Sequence, residues 1–148
     1  MTDLISDVTR DLIAHEGSVK EKGRHIPYED HMGNLTCGYG RLIDPRIPGA
    51  GFREEEAQFM LANDVKAMLS ELDDNFPFWR NMEYSAQRAV INMAFQLGMP
   101  GLKKFKNMWS HLKKGDYLAA SEAALDSLWA QQTPNRARTV AAMMRNGR

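Results

Sequence analysis

Residues 17–51, GSVKEKGRHIPYEDHMGNLTCGYGRLIDPRIPGAG, interrupt a chain that is otherwise patterned for helices. Glycines at 23, 33, 38, 40 and 49 and prolines at 27, 45 and 48 break any helical period there. The short runs 26–28 and 35–39 read as strands of a small antiparallel sheet that turns near 31–34. On the N-terminal side, Leu4, Ile5, Val8, Leu12 and Ile13 share one helical face, with Thr2 or Asp3 as cap and Gly17 as stop, so Glu16 falls in the last turn. On the C-terminal side, Ala57, Leu61, Val65, Met68 and Leu72 form a helical stripe from Arg53, with Glu54, Glu55 and Glu56 well placed in its first turn. Ala86, Ala89, Val90, Met93 and Leu97 repeat the spacing up to Gly98-Met99-Pro100-Gly101 and predict a buried central helix. Further helices are expected over 102–114 and 116–129, and a last one behind Thr133-Pro134. One early patch of strand within a helical majority is an α+β class.

At 148 residues and 43% hydrophobic content, the chain has the size of one compact domain. Its 19 basic and 19 acidic side chains cancel, so total charge announces neither nucleic acid nor a membrane surface. Cys37 is the single cysteine, which excludes an internal disulfide framework and suits a reducing compartment. Asp3, Asp7 and Arg10 interrupt the first apolar positions, so no signal peptide or anchor is expected there, and no stretch approaches a membrane span. Four histidines at 15, 25, 31 and 111 lack metal-ligand spacing, so no metal is expected.

Glu16 and Asp30 are the carboxylates whose settings differ usefully. A carboxyl at a helix C-terminus faces the negative end of the macrodipole, and partial burial would further oppose its ionisation, which suits a general acid. Asp30, in a polar hairpin near the Thr36 hydroxyl and the peptide groups of Gly33 and Gly38, keeps its charge more easily. Glycoside hydrolysis needs that asymmetry: one group protonates the leaving oxygen while the other activates water or stabilises positive charge.

Three segments then resemble the phage lysozymes of glycoside hydrolase family 24. The first runs from His15-Glu16-Gly17 through Tyr28-Glu29-Asp30 to Leu35-Thr36-Cys37-Gly38-Tyr39-Gly40. The second is Ile91-Asn92-Met93-Ala94-Phe95-Gln96-Leu97-Gly98, and the third is Trp129 with Gln132-Thr133-Pro134-Asn135-Arg136-Ala137. The resemblance implies a lysozyme-like domain over 1–148. Its small antiparallel-sheet lobe would cover about 17–52 and its helical lobe 1–16 and 73–148, joined by a long helix over 53–72. It implies cleavage of the β-1,4 bond between N-acetylmuramic acid and N-acetylglucosamine of bacterial peptidoglycan, in a cleft between the lobes and without cofactor. By position, Glu16 is the general acid, Asp30 and Thr36 place the attacking water, and inversion at the anomeric carbon follows. Gln96 and Trp129 are expected to contact glycan, as are Phe95 and Leu42, and Arg136 to reach toward the glutamate. The family likeness and the missing signal together imply a monomeric endolysin, a bacteriolytic enzyme of host lysis. It would collect in the host cytoplasm and reach the wall through a holin-type membrane pore.

Two features depart from the family pattern. Thirteen residues separate Glu16 from Asp30, more than the commonest family spacing, so the stretch with Lys20, Lys22, Gly23, Arg24 and His25 is an extension of loop or strand. Arg41 stands where the T-even member has a histidine, so the buried ion pair of that histidine takes another form here. Several of these residues also have a plainer reading: Trp129 as core, Gln96 as a cap or bridge of backbone groups, Asn92 as structural, Thr36 as an ordinary strand threonine. Rival functions are a noncatalytic peptidoglycan-binding module and a lytic transglycosylase, which positions no water. A helical nucleic-acid binder using Lys103, Lys104, Lys106, Lys113, Lys114, Arg136, Arg138, Arg145 and Arg148 is disfavoured by the zero net charge.

Overall fold

The computed structural model describes residues 3–146; Thr2 and Arg148 lie outside them. The chain divides into two compact units, Met1–Gln58 and Phe59–Arg148. α1 is grouped with the strands in the first unit, whereas the sequence reading assigns it to the helical lobe.

In the first unit, α1 (Leu4–Glu16) starts at Asp3, whose carboxylate accepts from Ile5 N–H at 3.4 Å, and ends where the Gly17 N–H reaches Ile13 O. None of its residues is buried, so its apolar stripe is a matter of spacing alone. The glycine-rich stretch forms two antiparallel sheets instead of one. β1 (Lys20–Glu21) pairs with β2 (Arg24–His25), and this hairpin absorbs the additional residues between Glu16 and Asp30. β3 (Tyr28–Glu29), β4 (Leu35–Cys37) and β5 (Arg41–Leu42) make a three-stranded meander, with Tyr28 opposite Thr36 and Thr36 opposite Leu42. Arg41 Nη1 donates to Glu56 at 2.8 Å and to Gly51 O at 3.2 Å, while Nη2 pairs with the other carboxylate oxygen. The Arg53 N–H donates to the same glutamate at 2.8 Å. The guanidinium of Arg41, helped by that N–H, holds the Glu56 carboxyl down to about 2. An arginine–glutamate pair thus ties β5 to the first turn of α2 (Glu54–Asn75), which continues across the division between the units.

The second unit carries the apolar core. α2 contributes Leu72; a 3-10 turn (Pro77–Asn81), absent from the sequence reading, contributes Trp79. α3 (Tyr84–Leu102) buries Ala86, Ala89, Val90 and Met93 completely, along the predicted stripe. Its axis breaks at Gly98, where φ +70° and ψ 167° interrupt the helical path, and Pro100 sits in the first turn of the short segment that follows. α4 (Lys106–Lys113) begins later than the spacing suggests. The single helix expected over 116–129 is two, α5 (Tyr117–Leu125) and α6 (Leu128–Gln132). Ser127 takes the extended conformation between them and accepts from the Ala130 N–H at 3.2 Å, a new N-cap that stops α5 from continuing. α7 (Pro134–Asn146) opens on its proline and packs on α3 and α5, with Ser85 Oγ donating to Met143 O at 2.7 Å. No described helix is long and apolar enough to cross a membrane.

Candidate active site

Glu16 is the last residue of α1, where unpaired helix carbonyls gather. Its side chain lies against Gly40: a β-carbon at that position would stand 3.0 Å from Oε2 and 3.3 Å from Cδ. With φ +82°, Gly40 combines a backbone only glycine adopts freely with the space the carboxyl fills. Glu16 is exposed, so its setting within this unit rests on the helix end and the glycine seat, not on burial.

Asp30 follows β3, and the reversal after it is built around its carboxylate. Oδ1 accepts from the N–H groups of Met32 and Asn34, each at 2.9 Å. The Asp30 N–H donates to Asn34 O at 2.9 Å, and its carbonyl accepts from Gly33 N–H at 2.9 Å. Among the described residues, Oδ2 makes no hydrogen bond. One oxygen is therefore fixed and the other is available to a solvent molecule. Thr36 on β4 is buried, and its hydroxyl donates to Asn34 O at 3.1 Å, the carbonyl that also receives the Asp30 N–H. Asp30 and Thr36 thus share Asn34 as a common anchor, while Gly38, expected near Asp30, makes no hydrogen bond to it. Leu42, half-buried, faces Thr36 across the β4–β5 pairing.

The helical-unit residues fall into two groups. Trp129 is 5% exposed, donates its indole N–H to Gln96 Oε1 at 2.8 Å and meets Phe105 edge to face. Gln96 Nε2 donates in turn to the Thr133 hydroxyl at 3.3 Å, and that hydroxyl donates to Trp129 O at 3.1 Å. This closed set satisfies a buried indole, which is the packing arrangement; Trp129 nonetheless borders a cavity of about 570 Å³ with Leu97, Phe105, Ser127 and Gln132. Phe95 and Arg136 belong to a second cavity of about 450 Å³, shared with Leu61, Arg88 and Asn92. Arg136 donates from Nε to Asn92 Oδ1 at 2.9 Å and from Nη2 to its carbonyl at 3.3 Å. Asn92 is therefore its partner within this unit.

Sequence reasoning missed two charged residues beside the Asp30 turn. Asp44 is 1% exposed, and Arg46 binds it through Nε at 2.8 Å and Nη2 at 2.5 Å. The Arg46 guanidinium, with the N–H groups of Leu35 and Arg46, holds the Asp44 carboxyl far below the usual carboxylate range. The available signal was an acid and a base two apart in a proline-bounded loop, a pattern that ordinarily marks solvated surface. Among the described residues, no group of three or more His, Cys, Asp or Glu side chains could hold a metal ion.

These features sit within a wider likeness. The family model described as Phage lysozyme matches residues 18–145, taking in Asp30, Thr36, Gln96, Trp129 and Arg136 and starting just beyond Glu16. The pre-baseplate central spike protein Gp5 of Enterobacteria phage T4 is 36% identical over 96 residues, 63% of this chain and 17% of that protein. In Dictyostelium discoideum, the protein named Probable T4-type lysozyme 1 is 24% identical over 95 residues, 62% of this chain and 56% of its own length. The protein named Probable T4-type lysozyme 2 of the same organism is 21% identical over 150 residues, 81% of this chain and 85% of its own. The chain thus spans less than two thirds of the first two relatives. With a family model covering 18–145 and an α+β fold to match, the chain belongs to the phage lysozyme family.

Proposed function

We propose that the chain is a peptidoglycan muramidase that hydrolyses the β-1,4 bond between N-acetylmuramic acid and N-acetylglucosamine. Glu16 acts as general acid on the leaving oxygen, and Asp30 and Thr36 place the attacking water. The observation that carries this reading is the asymmetry of the Asp30 carboxylate: Oδ1 is fixed by two backbone N–H groups while Oδ2 has no protein donor among the described residues. A carboxylate fixed through one oxygen holds one orientation, and its other oxygen can accept a hydrogen bond and a proton from water. Family membership and the names of the Dictyostelium relatives support the substrate. Phe95, 46% exposed, and the half-buried Leu42 are the glycan contacts best supported by exposure; Gln96 acts through its bond to Trp129, which borders the cavity. A free, monomeric lytic enzyme released from the host cytoplasm through a pore made by another protein completes the reading.

The test is turbidity loss of purified peptidoglycan with wild type beside Glu16→Gln. Lysis that disappears in a folded mutant supports a glycan-cleaving enzyme dependent on Glu16. Product mass separates hydrolysis from transglycosylation, because the hydrolytic ends are heavier by one water, and the anomer first formed reports inversion. Absence of lysis by folded wild type on several wall types overturns the enzyme and favours a binding module. Similarity to a phage spike protein favours a second reading, in which a chain of this family works as part of a particle. Lysis by the purified chain alone, at catalytic concentration, argues for the free enzyme. Appearance of tagged chain in the periplasm without any pore-former argues against the release route.

A further inference from the structure

The buried Asp44 has no part in the chemistry above, yet its bonds converge on the Asp30 turn. Asp44 Oδ2 accepts from the Leu35 N–H at 3.0 Å, and Arg46 Nη2, while bound to that same carboxylate, donates to Gly33 O at 3.3 Å. Gly33 and Leu35 flank Asn34, whose N–H and carbonyl both bond Asp30 and whose carbonyl also receives Thr36 Oγ1. The pair therefore grips the chain on both sides of the residue that orients Asp30. Its own geometry is fixed further by the Arg46 N–H, which donates to Asp44 Oδ1 at 3.0 Å. A carboxylate buried this deeply persists only when its oxygens are bonded and its charge is paired, and both conditions are met. Arg46 is itself 74% exposed, so it reaches in from solvent.

We propose that Asp44 and Arg46 are positioning residues for Asp30: a buried carboxylate and the arginine bound to it hold Gly33 and Leu35, and thereby fix the Asn34 peptide that aims the Asp30 carboxylate. The catalytic consequence rests on the role given to Asp30 above; the mechanical one does not. A planar guanidinium serves Asp44 and Gly33 together through separate N–H groups, which a single ammonium does not reproduce. Arg46→Lys therefore keeps a positive charge near Asp44 and releases Gly33.

The experiment compares wild type, Arg46→Lys, Arg46→Ala and Asp30→Asn by amide hydrogen exchange and by kinetics on soluble peptidoglycan fragments. Arg80→Lys, altering an exposed arginine paired with Asp73 in the second unit, is the control. Exchange at the Met32 and Asn34 amides should rise about tenfold in Arg46→Lys, with kcat lower by about tenfold or more and KM unchanged, since a small misalignment of a reacting group is costly. Arg80→Lys should change neither. Wild-type exchange at Met32 and Asn34 in folded Arg46→Lys and Arg46→Ala overturns the proposal. Faster exchange with unchanged kcat overturns it as well if Asp30→Asn has lost activity. If Asp30→Asn is fully active, the role of Asp30 has failed instead, and the exchange data alone decide whether the clamp exists.

Discussion

In the second unit the buried side chains run from Leu72 to Met144 and are apolar apart from Ser85 and Ser121; in the first unit the buried residues among those described are Thr36 and Asp44. One unit is organised by removing methyl, thioether and indole groups from water, the other by bonding peptide groups to side chains in turns. Apolar burial is non-directional and tolerates approximate geometry, whereas hydrogen bonds fix distances and angles. The proposed water-positioning residues lie where directional bonds dominate. Substitutions should therefore separate by unit, activity changing in the first and stability in the second.

The largest effect expected is in the first unit. Asp30→Asn keeps an oxygen for the Met32 and Asn34 N–H groups but removes the base, so turnover should fall by roughly 10²- to 10⁴-fold with the melting temperature nearly unchanged. Parallel loss of activity and of melting temperature would break the contrast. Leu102→Ala should do the reverse. Leu102 is fully buried beside Trp109, and its loss should cost about 2–5 kcal/mol in denaturant unfolding, with kcat of the folded fraction retained. Ser127→Ala removes the cap of α6 and should cost about 1 kcal/mol by the same measurement. The smallest effect carries a pH signature. Glu56 has a folded-state pKa depressed from 4.5 to about 2, so its contribution is fully present above 4.5 and disappears as pH falls toward 2. The melting-temperature gap between wild type and Glu56→Gln should be constant near neutrality and close across that acidic window. A gap that persists at pH 2 would show that Arg41 does not act through the charge of Glu56.

The same division explains what could be read beforehand. Periodic apolar spacing locates α3, and the break at Gly98 and the proline start of α7 follow from backbone restrictions that need no tertiary context. The split between α5 and α6 escaped because Ala123, Ala124, Leu125 and Leu128 keep an apolar spacing through Ser127, and capping competes with that spacing locally. In the glycine-rich stretch, composition gives strands and turns but not register. The extra residues after Glu16 become a separate hairpin, and which peptide bonds Asp30 depends on a loop closed by Asp44 from nine residues beyond Leu35. Charge in a loop ordinarily signals solvent, so Asp44 gave no indication of burial. α1 illustrates the opposite case: its stripe was legible, while what meets that stripe is not encoded in the spacing.

The three tryptophans, at 79, 109 and 129, all lie in the second unit, and Cys37, the single cysteine, sits half-buried on β4 in the first. Tryptophan fluorescence, excited selectively so that Tyr28 and Tyr39 stay silent, therefore reports on one half of the molecule and is blind to the other. The rate at which the Cys37 thiol reacts with a disulfide reagent reads the strand that bears Thr36. Followed together through a denaturant titration, the two signals would reveal whether the halves melt as one cooperative body, with no engineered probe required.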